Sequence, residues 1–271
     1  MPTPFDPGYG EDPFRSLVAT YPGANVYKGS DFRSEWGPVF HRGRLDGSAR
    51  VLVIGQDPAQ HETIARRILV GEAGHRLQGF LFKVGMDRSY TMINTFLYCL
   101  FGQGGAAGKA NVTPIVTYRH KWLDALFAHE PIEAVVALGQ LADQAWTKWA
   151  ATPNGSAHSP AYVKITHPTQ PESAAGGNAA KHAQLIAAML HNWNNGLQAI
   201  RPGISNPDKN RPLKLYGNSF APGEKKPIPM DDLPAGTPQW MATDDGWADR
   251  TGSGSLKRRT ITVTVPKTAL S

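Results

Sequence analysis

Four short apolar runs alternate along this chain with stretches of helical pattern, and that alternation limits the fold more than any other feature. The runs are "RVLVIGQ" at 50–56, "YTMIN" at 90–94, "IEAVVALG" at 132–139 and "AYVKITHP" at 161–168. The β-branched runs at 50–56 and 132–139 predict buried strands, and those at 90–94 and 161–168 predict two further strands. Between them, residues 73–85 place Leu77, Phe80, Leu81 and Val84 at helical spacing. Residues 119–130 form an amphipathic helical pattern that Pro131 ends. Further helices are predicted from Leu141 to about Trp149 and over 178–193, with a short one at 13–21 and a helix-compatible stretch at 60–70. Strands that alternate with helices form a parallel sheet covered on both faces. The expected fold is an α/β, three-layer α/β/α sandwich around a mainly parallel four-stranded sheet.

The character changes after Arg201. Residues 202–238 hold eight prolines and few apolar residues, which predicts an extended, wrapping segment rather than a second core. "RRTITVTV" at 258–265 alternates Ile261, Val263 and Val265 with threonine, a strand pattern. The expected organisation is therefore a catalytic unit over 1–201, including a loose N-terminal arm, and a Pro-rich extension over 202–271. No run of eighteen apolar residues occurs, so no membrane span is expected. The start "MPTPFDPGYGEDPF" lacks the basic and apolar regions of a signal peptide, so a cytoplasmic location is expected. The formal charge of +6 favours a polyanionic partner. Cys99 is the one cysteine; it reads as a small buried hydrophobe and provides neither a disulfide nor a cysteine-ligated site.

Each strand delivers its notable residues at its C-terminal end: Gln56 and Asp57, Asn94, Gly139, and His167. Open α/β sheets bind ligands at that edge. The same segments carry, in order, "GQDP" at 55–58, "INT" at 93–95, "VVALG" at 135–139 and "HPT" at 167–169. In this set and order the chain resembles the uracil-DNA glycosylase superfamily over about residues 50–195. "GQDP" is similar to the highly uracil-specific members. "LVGEAG" at 69–74 and "VVALGQLA" at 135–142 look more like the iron–sulfur members, but a single cysteine cannot hold their cluster.

The resemblance implies an enzyme that flips a deaminated base out of DNA and hydrolyses its N-glycosidic bond, with no metal or organic cofactor, acting as a monomer. In that chemistry positive charge builds on the sugar and negative charge on the leaving base. Asp57 suits the first, steadying the sugar and orienting water; its alternative role is a turn carboxylate capping the next helix. His167 suits the second as a donor to the base oxygen; the alternative is a histidine bonded to a nearby loop. Asn94 offers a donor and an acceptor to the uracil edge, or is a loop-forming asparagine. Gln56 would lie under the base. Gly139 would offer its amide to a phosphate, or is a turn glycine. Gln140, Thr169, Gln170 and Pro171 are the expected DNA contacts.

Three positions depart from the family pattern. Ala59 stands where the highly specific members carry a tyrosine that crowds out the thymine methyl, which implies a broader base range. Leu69 stands where an aromatic ring would stack on the base. The loop "TQPES" at 169–173 offers only Pro171 as an apolar wedge, beside an acidic Glu172. A non-catalytic lesion- or single-strand-binding module on the same fold is the main alternative reading. A hydrolase of free nucleosides is the third.

Overall fold

Every residue of Val51–Gly55 and of Tyr90–Asn94 is buried, as is every residue of Ala134–Leu138. This is what β-branched runs do when helices cover both faces of a sheet. The computed structural model describes residues 9–102, 105–254 and 259–267. In chain order the elements through the third strand are α1 (Phe14–Ala19), β1 (His41–Gly43), β2 (Val51–Gly55), α2 (Gln60–Ala65), α3 (Glu72–Lys83) and β3 (Tyr90–Asn94). Next come α4 (Ala106–Lys109), α5 (Thr113–His129), β4 (Ala134–Leu138), α6 (Gln140–Ala150), α7 (Pro153–Ser156), β5 (Ala161–Ile165), α8 (Gln170–Ala175) and α9 (Ala179–Ile200). The chain closes with α10 (Gln239–Thr243), β6 (Ala248–Thr251) and β7 (Thr260–Val263). Among the described residues no helix is long and apolar enough to cross a membrane.

The main sheet has the order β1-β3-β2-β4-β5, with β1 antiparallel to β3 and the other pairs parallel. It has five strands, not the expected four. The fifth, β1, is only "HRG", and all three residues are buried. A basic tripeptide reads as exposed loop, and only its partners make it a strand. Alternate residues feed opposite layers. Leu52, Ile54, Val135 and Ala137 face a cluster with Trp122, Leu123, Leu126, Trp146 and Trp149 of α5 and α6. Val51, Val53, Val136 and Leu138 face Leu77, Phe80, Leu190, Trp193 and Leu197 of α3 and α9. The result is the expected three-layer α/β/α arrangement.

The segment after α9 wraps this body. Its apolar anchors, Ile228, Leu233, Ala242, Trp247 and Ala248, close a small cluster that also contains Ala65 and Val70. Ile261 and Val263 of β7 pack against it, and β7 pairs antiparallel with β6. The strongest tie is ionic. Asp232 accepts from Arg42 Nη1 at 2.8 Å, from Arg44 Nη2 at 3.0 Å and from Tyr90 Oη at 2.6 Å. The Arg42 and Asp232 side chains are wholly buried. A guanidinium placed there alone would cost several kcal/mol, about 3–5 when its partner is removed. The extension thus allows basic β1 to enter the sheet.

Candidate active site

Gly55 and Asn94 are register partners at the C-terminal ends of β2 and β3. A Cβ at Gly55 would collide with Asn94 Oδ1, so the glycine gives the amide its seat. The next residues knit the two exits together. Thr95 N–H and its hydroxyl donate to the Gly55 carbonyl at 2.9 and 3.0 Å, and Phe96 N–H donates to the Gln56 carbonyl at 2.9 Å. The same loop then turns back, and Leu100 N–H donates to Asp57 Oδ2 at 2.9 Å. Gln56 Nε2 donates to Asp57 Oδ1 at 2.9 Å. Both carboxylate oxygens are therefore held in place. Burial pushes the Asp57 carboxyl above its ordinary range, and the neighbouring Glu62 charge pushes the same way. The Leu100 and Gln56 hydrogen bonds and the Arg33 charge oppose that rise.

Ala59 precedes α2 at the N-cap position, and its N–H donates to Glu62 Oε2 at 3.0 Å. Asp57 is thus not the cap of this helix; Glu62, three residues after Ala59, takes that role at the spacing of a reciprocal cap. Glu62 is buried, and the spacing alone was the signal that could have found it. Leu69 has φ of 54° and is buried in the core on the α3 side. The left-handed region costs a non-glycine residue roughly 1–2 kcal/mol. Gly74 permits it, because a Cβ there would collide with the Leu69 carbonyl.

His167 lies just beyond β5, and α9 fixes that exit. Asn192 Oδ1 accepts Thr166 N–H at 2.7 Å, and Trp193 Nε1 donates to the Thr166 carbonyl at 2.9 Å. Thr169 N–H donates to His167 Nδ1 at 3.3 Å. An Nδ1 that accepts leaves the ring proton of the neutral imidazole on Nε2. Burial lowers the His167 pKa to about 4, so the ring is a neutral donor through the physiological range. Arg76 braces the turn by donating to the Pro168 carbonyl and to both oxygens of Glu172, at 2.7 and 3.2 Å. Glu172 is therefore a paired carboxylate that holds α8 in place; His182 Nε2 is 2.9 Å from it.

Gly139 starts α6 with φ of 82°, and a Cβ there would lie 3.5 Å from His167 Cβ. Its N–H donates to the Ile165 carbonyl at 2.9 Å, which corrects the expectation that this amide meets a phosphate. The N–H groups left without a helical partner belong to the residues after it. Gln140 is exposed there, with Lys164 Nζ donating to its Oε1 at 3.3 Å. Gln170 is exposed at the start of α8, whereas Pro171, the wedge candidate, is buried beside it. Cys99 is buried next to Arg33, and burial pushes its thiol up to about 12, so it stays a thiol.

Strand order puts these groups along one rim. The exits of β3, β2, β4 and β5 present Asn94, Asp57, Gly139 and His167 in that sequence across the sheet. Of the two groups that hold Asp57, the Leu100 N–H comes from a distant loop and carries no local pattern. A search of curated proteins finds no match to the chain. The family model described as the Uracil DNA glycosylase superfamily matches residues 42–191, from β1 into α9 and more than half of the chain. With four motif segments converging on the ligand-binding edge of an α/β sheet inside that matched span, the chain belongs to the uracil-DNA glycosylase superfamily.

Proposed function

We propose that this protein is a monofunctional DNA glycosylase that removes uracil, and other deaminated bases, by hydrolysis of the N-glycosidic bond. The observation that carries this reading is the pairing at one rim of a carboxylate and a neutral imidazole prepared for opposite charges. Asp57 is clamped through both oxygens by Leu100 N–H and Gln56 Nε2. His167 is kept neutral by burial, with Nδ1 accepting from Thr169.

As the bond between the sugar and the base breaks, its electron pair leaves with the base. The sugar becomes cationic, and Asp57 in its carboxylate form stabilises it. Asp57 also orients the water that attacks the anomeric carbon; such base assistance contributes on the order of 10²–10⁴-fold. The base departs as an anion, and His167 Nε2–H donates to the oxygen where that charge collects, worth about 10²–10³-fold. Asn94 reads the edge of the flipped base from its seat beside Gly55. The base must leave the stack first, at a cost of roughly a few kcal/mol, and a positively charged chain gains affinity for DNA from phosphate neutralisation. The absence of a ring at Ala59 removes a clash against substituted bases. Discrimination then falls to Asn94 and the surrounding loops.

The test is single-turnover cleavage of a uracil-containing oligonucleotide, followed by alkaline strand scission. Asp57→Asn and His167→Ala are each expected to slow base release at least about tenfold, with oligonucleotide affinity retained. Wild-type protein that binds the oligonucleotide without releasing base would instead make it a binding module.

A further inference from the structure

A cavity of about 270 Å³ lies between α3 and the C-terminal extension. Its wall includes Phe82, some 15 Å along α3 from Glu72 at the helical rise of 1.5 Å per residue. Phe82 and Lys83 of α3 face Arg211, Lys214 and Lys226 of the extension. None of these residues belongs to the rim that carries Asp57 and His167.

The charge on this wall is unbalanced. Four cations line the cavity against one carboxylate, Glu224. Glu224 accepts from Lys83 Nζ at 2.6 Å. Arg211 is committed to Asp87 through two hydrogen bonds, at 2.8 and 2.7 Å. Lys226 and Lys214 form no ion pair among the described residues. The aromatic ring concentrates this charge: Arg211 Cζ is 4.0 Å and Lys226 Nζ 4.2 Å from the Phe82 centroid. At such distances the ring quadrupole attracts the cations and holds their side chains at the wall. The cavity is also preformed. A Cβ at Gly79 would collide with the Glu224 carbonyl, so helix and extension meet at backbone distance. Pro212 and Gly223 add an uncharged surface.

We infer that this cavity is a second nucleotide site, in which Lys214 and Lys226 bind the phosphate and the sugar and base lie against Pro212 and Gly223. An unbalanced cationic wall selects an anion, and a phosphate provides several strong acceptor oxygens for ammonium donors. The volume is near the lower end of ligand pockets, about 300 Å³, which suits one nucleotide and excludes a duplex. The nucleotide is either free or part of a single strand. The inference does not depend on the glycosylase reading, since the cavity shares no residue with the catalytic rim.

Lysine acylation footprinting of the full chain, read by mass spectrometry, tests it. Deoxyadenosine monophosphate avoids a uracil-reading pocket and is the probe; deoxyadenosine and a short oligothymidylate complete the set. The monophosphate should protect Lys214 and Lys226, and deoxyadenosine should not. By calorimetry, Lys214→Gln with Lys226→Gln should weaken monophosphate binding at least about tenfold, equivalent to about 1.4 kcal/mol. Lys214 is exposed, so Lys214→Gln alone gives the same comparison without disturbing the fold. Protection by the oligonucleotide at lower concentration identifies a strand as the source; the reverse order identifies a free nucleotide, and either upholds the site. Protection by neither, equal protection by deoxyadenosine, or wild-type affinity in the double variant overturns it.

Discussion

Replacing Asp232 by alanine tests the tie between extension and body. The substitution removes the acceptor for Arg42, Arg44 and the Tyr90 hydroxyl together. Arg42 and Arg44 are almost wholly inaccessible to water, at 0% and 1% exposure. Removing one partner of a buried ion pair costs about 3–5 kcal/mol, since the remaining charge keeps its desolvation penalty. For a chain of 271 residues, an unfolding entropy of about 2.1 cal/mol/K per residue makes each kcal/mol worth about 2 °C. The midpoint of thermal unfolding, followed by circular dichroism, should therefore fall by about 5–9 °C. Asp232→Asn keeps the shape and part of the hydrogen bonding, and should fall less. Adding Arg42→Met to Asp232→Ala should recover part of the loss, because the stranded charge is gone and the two sites are directly coupled. A fall under about 2 °C for Asp232→Ala, with the extension still resistant to protease, would refute the assignment of Asp232 as the anchor.

Other expectations follow from the rim. Base release should lose rate as pH falls through an Asp57 midpoint above 3.8, since burial raises that group and only its carboxylate stabilises the sugar cation. His167 titrates near 4 and should add no step near 6.5; a step there that His167→Gln abolishes would contradict the neutral-donor assignment. Gly55→Ala should displace the Asn94 amide, its nearest obstruction, and slow uracil release at least about tenfold, given about 1–3 kcal/mol for a misplaced buried polar group; near-wild-type rates would show that Asn94 does not need this seat. Ala59→Tyr should narrow the range of released bases while sparing uracil; an unchanged broad range in an oligonucleotide panel would place discrimination elsewhere.

Much of this was legible because the sheet is built from local signals. The runs at 51–55, 90–94, 134–138 and 161–165 are strands with apolar stretches long enough to stand out from their surroundings. Their exits are marked by Gly, Asn, Asp and His, and parallel topology gathers those exits at one edge without further information. β1 was illegible because His41 and Arg42 contradict burial unless Asp232 is already in view. α5 begins at Thr113, before the expected 119, with Pro114 in its first turn; proline is favoured there, and the pattern that follows hides the start. The extension's anchors were illegible for a different reason. Ile228, Leu233 and Trp247 are single apolar residues spaced among prolines and polar residues, so no periodicity marks them. The clamp on Asp57 was missed because Leu100 reaches it across 43 positions of chain, and backbone donors have no signature in side-chain pattern.

The Arg42–Asp232 bond also has a consequence for how the molecule is made. Its partners lie 190 positions apart, and one belongs to an early strand while the other leaves the ribosome 190 residues later. Chains fold as they are made, N-terminal parts first; the Arg42 guanidinium can meet the Ile68 carbonyl and Gln78 early, but its carboxylate partner arrives only with the extension. Closing so long a loop adds little entropic cost over closing one half its length, about 0.6 kcal/mol. The delay is therefore one of order rather than of energy. The growing sheet can assemble β2, β3, β4 and β5 from neighbours already released, while its β1 margin stays hydrated and open. Completion of that margin becomes a late event, timed by the arrival of Asp232.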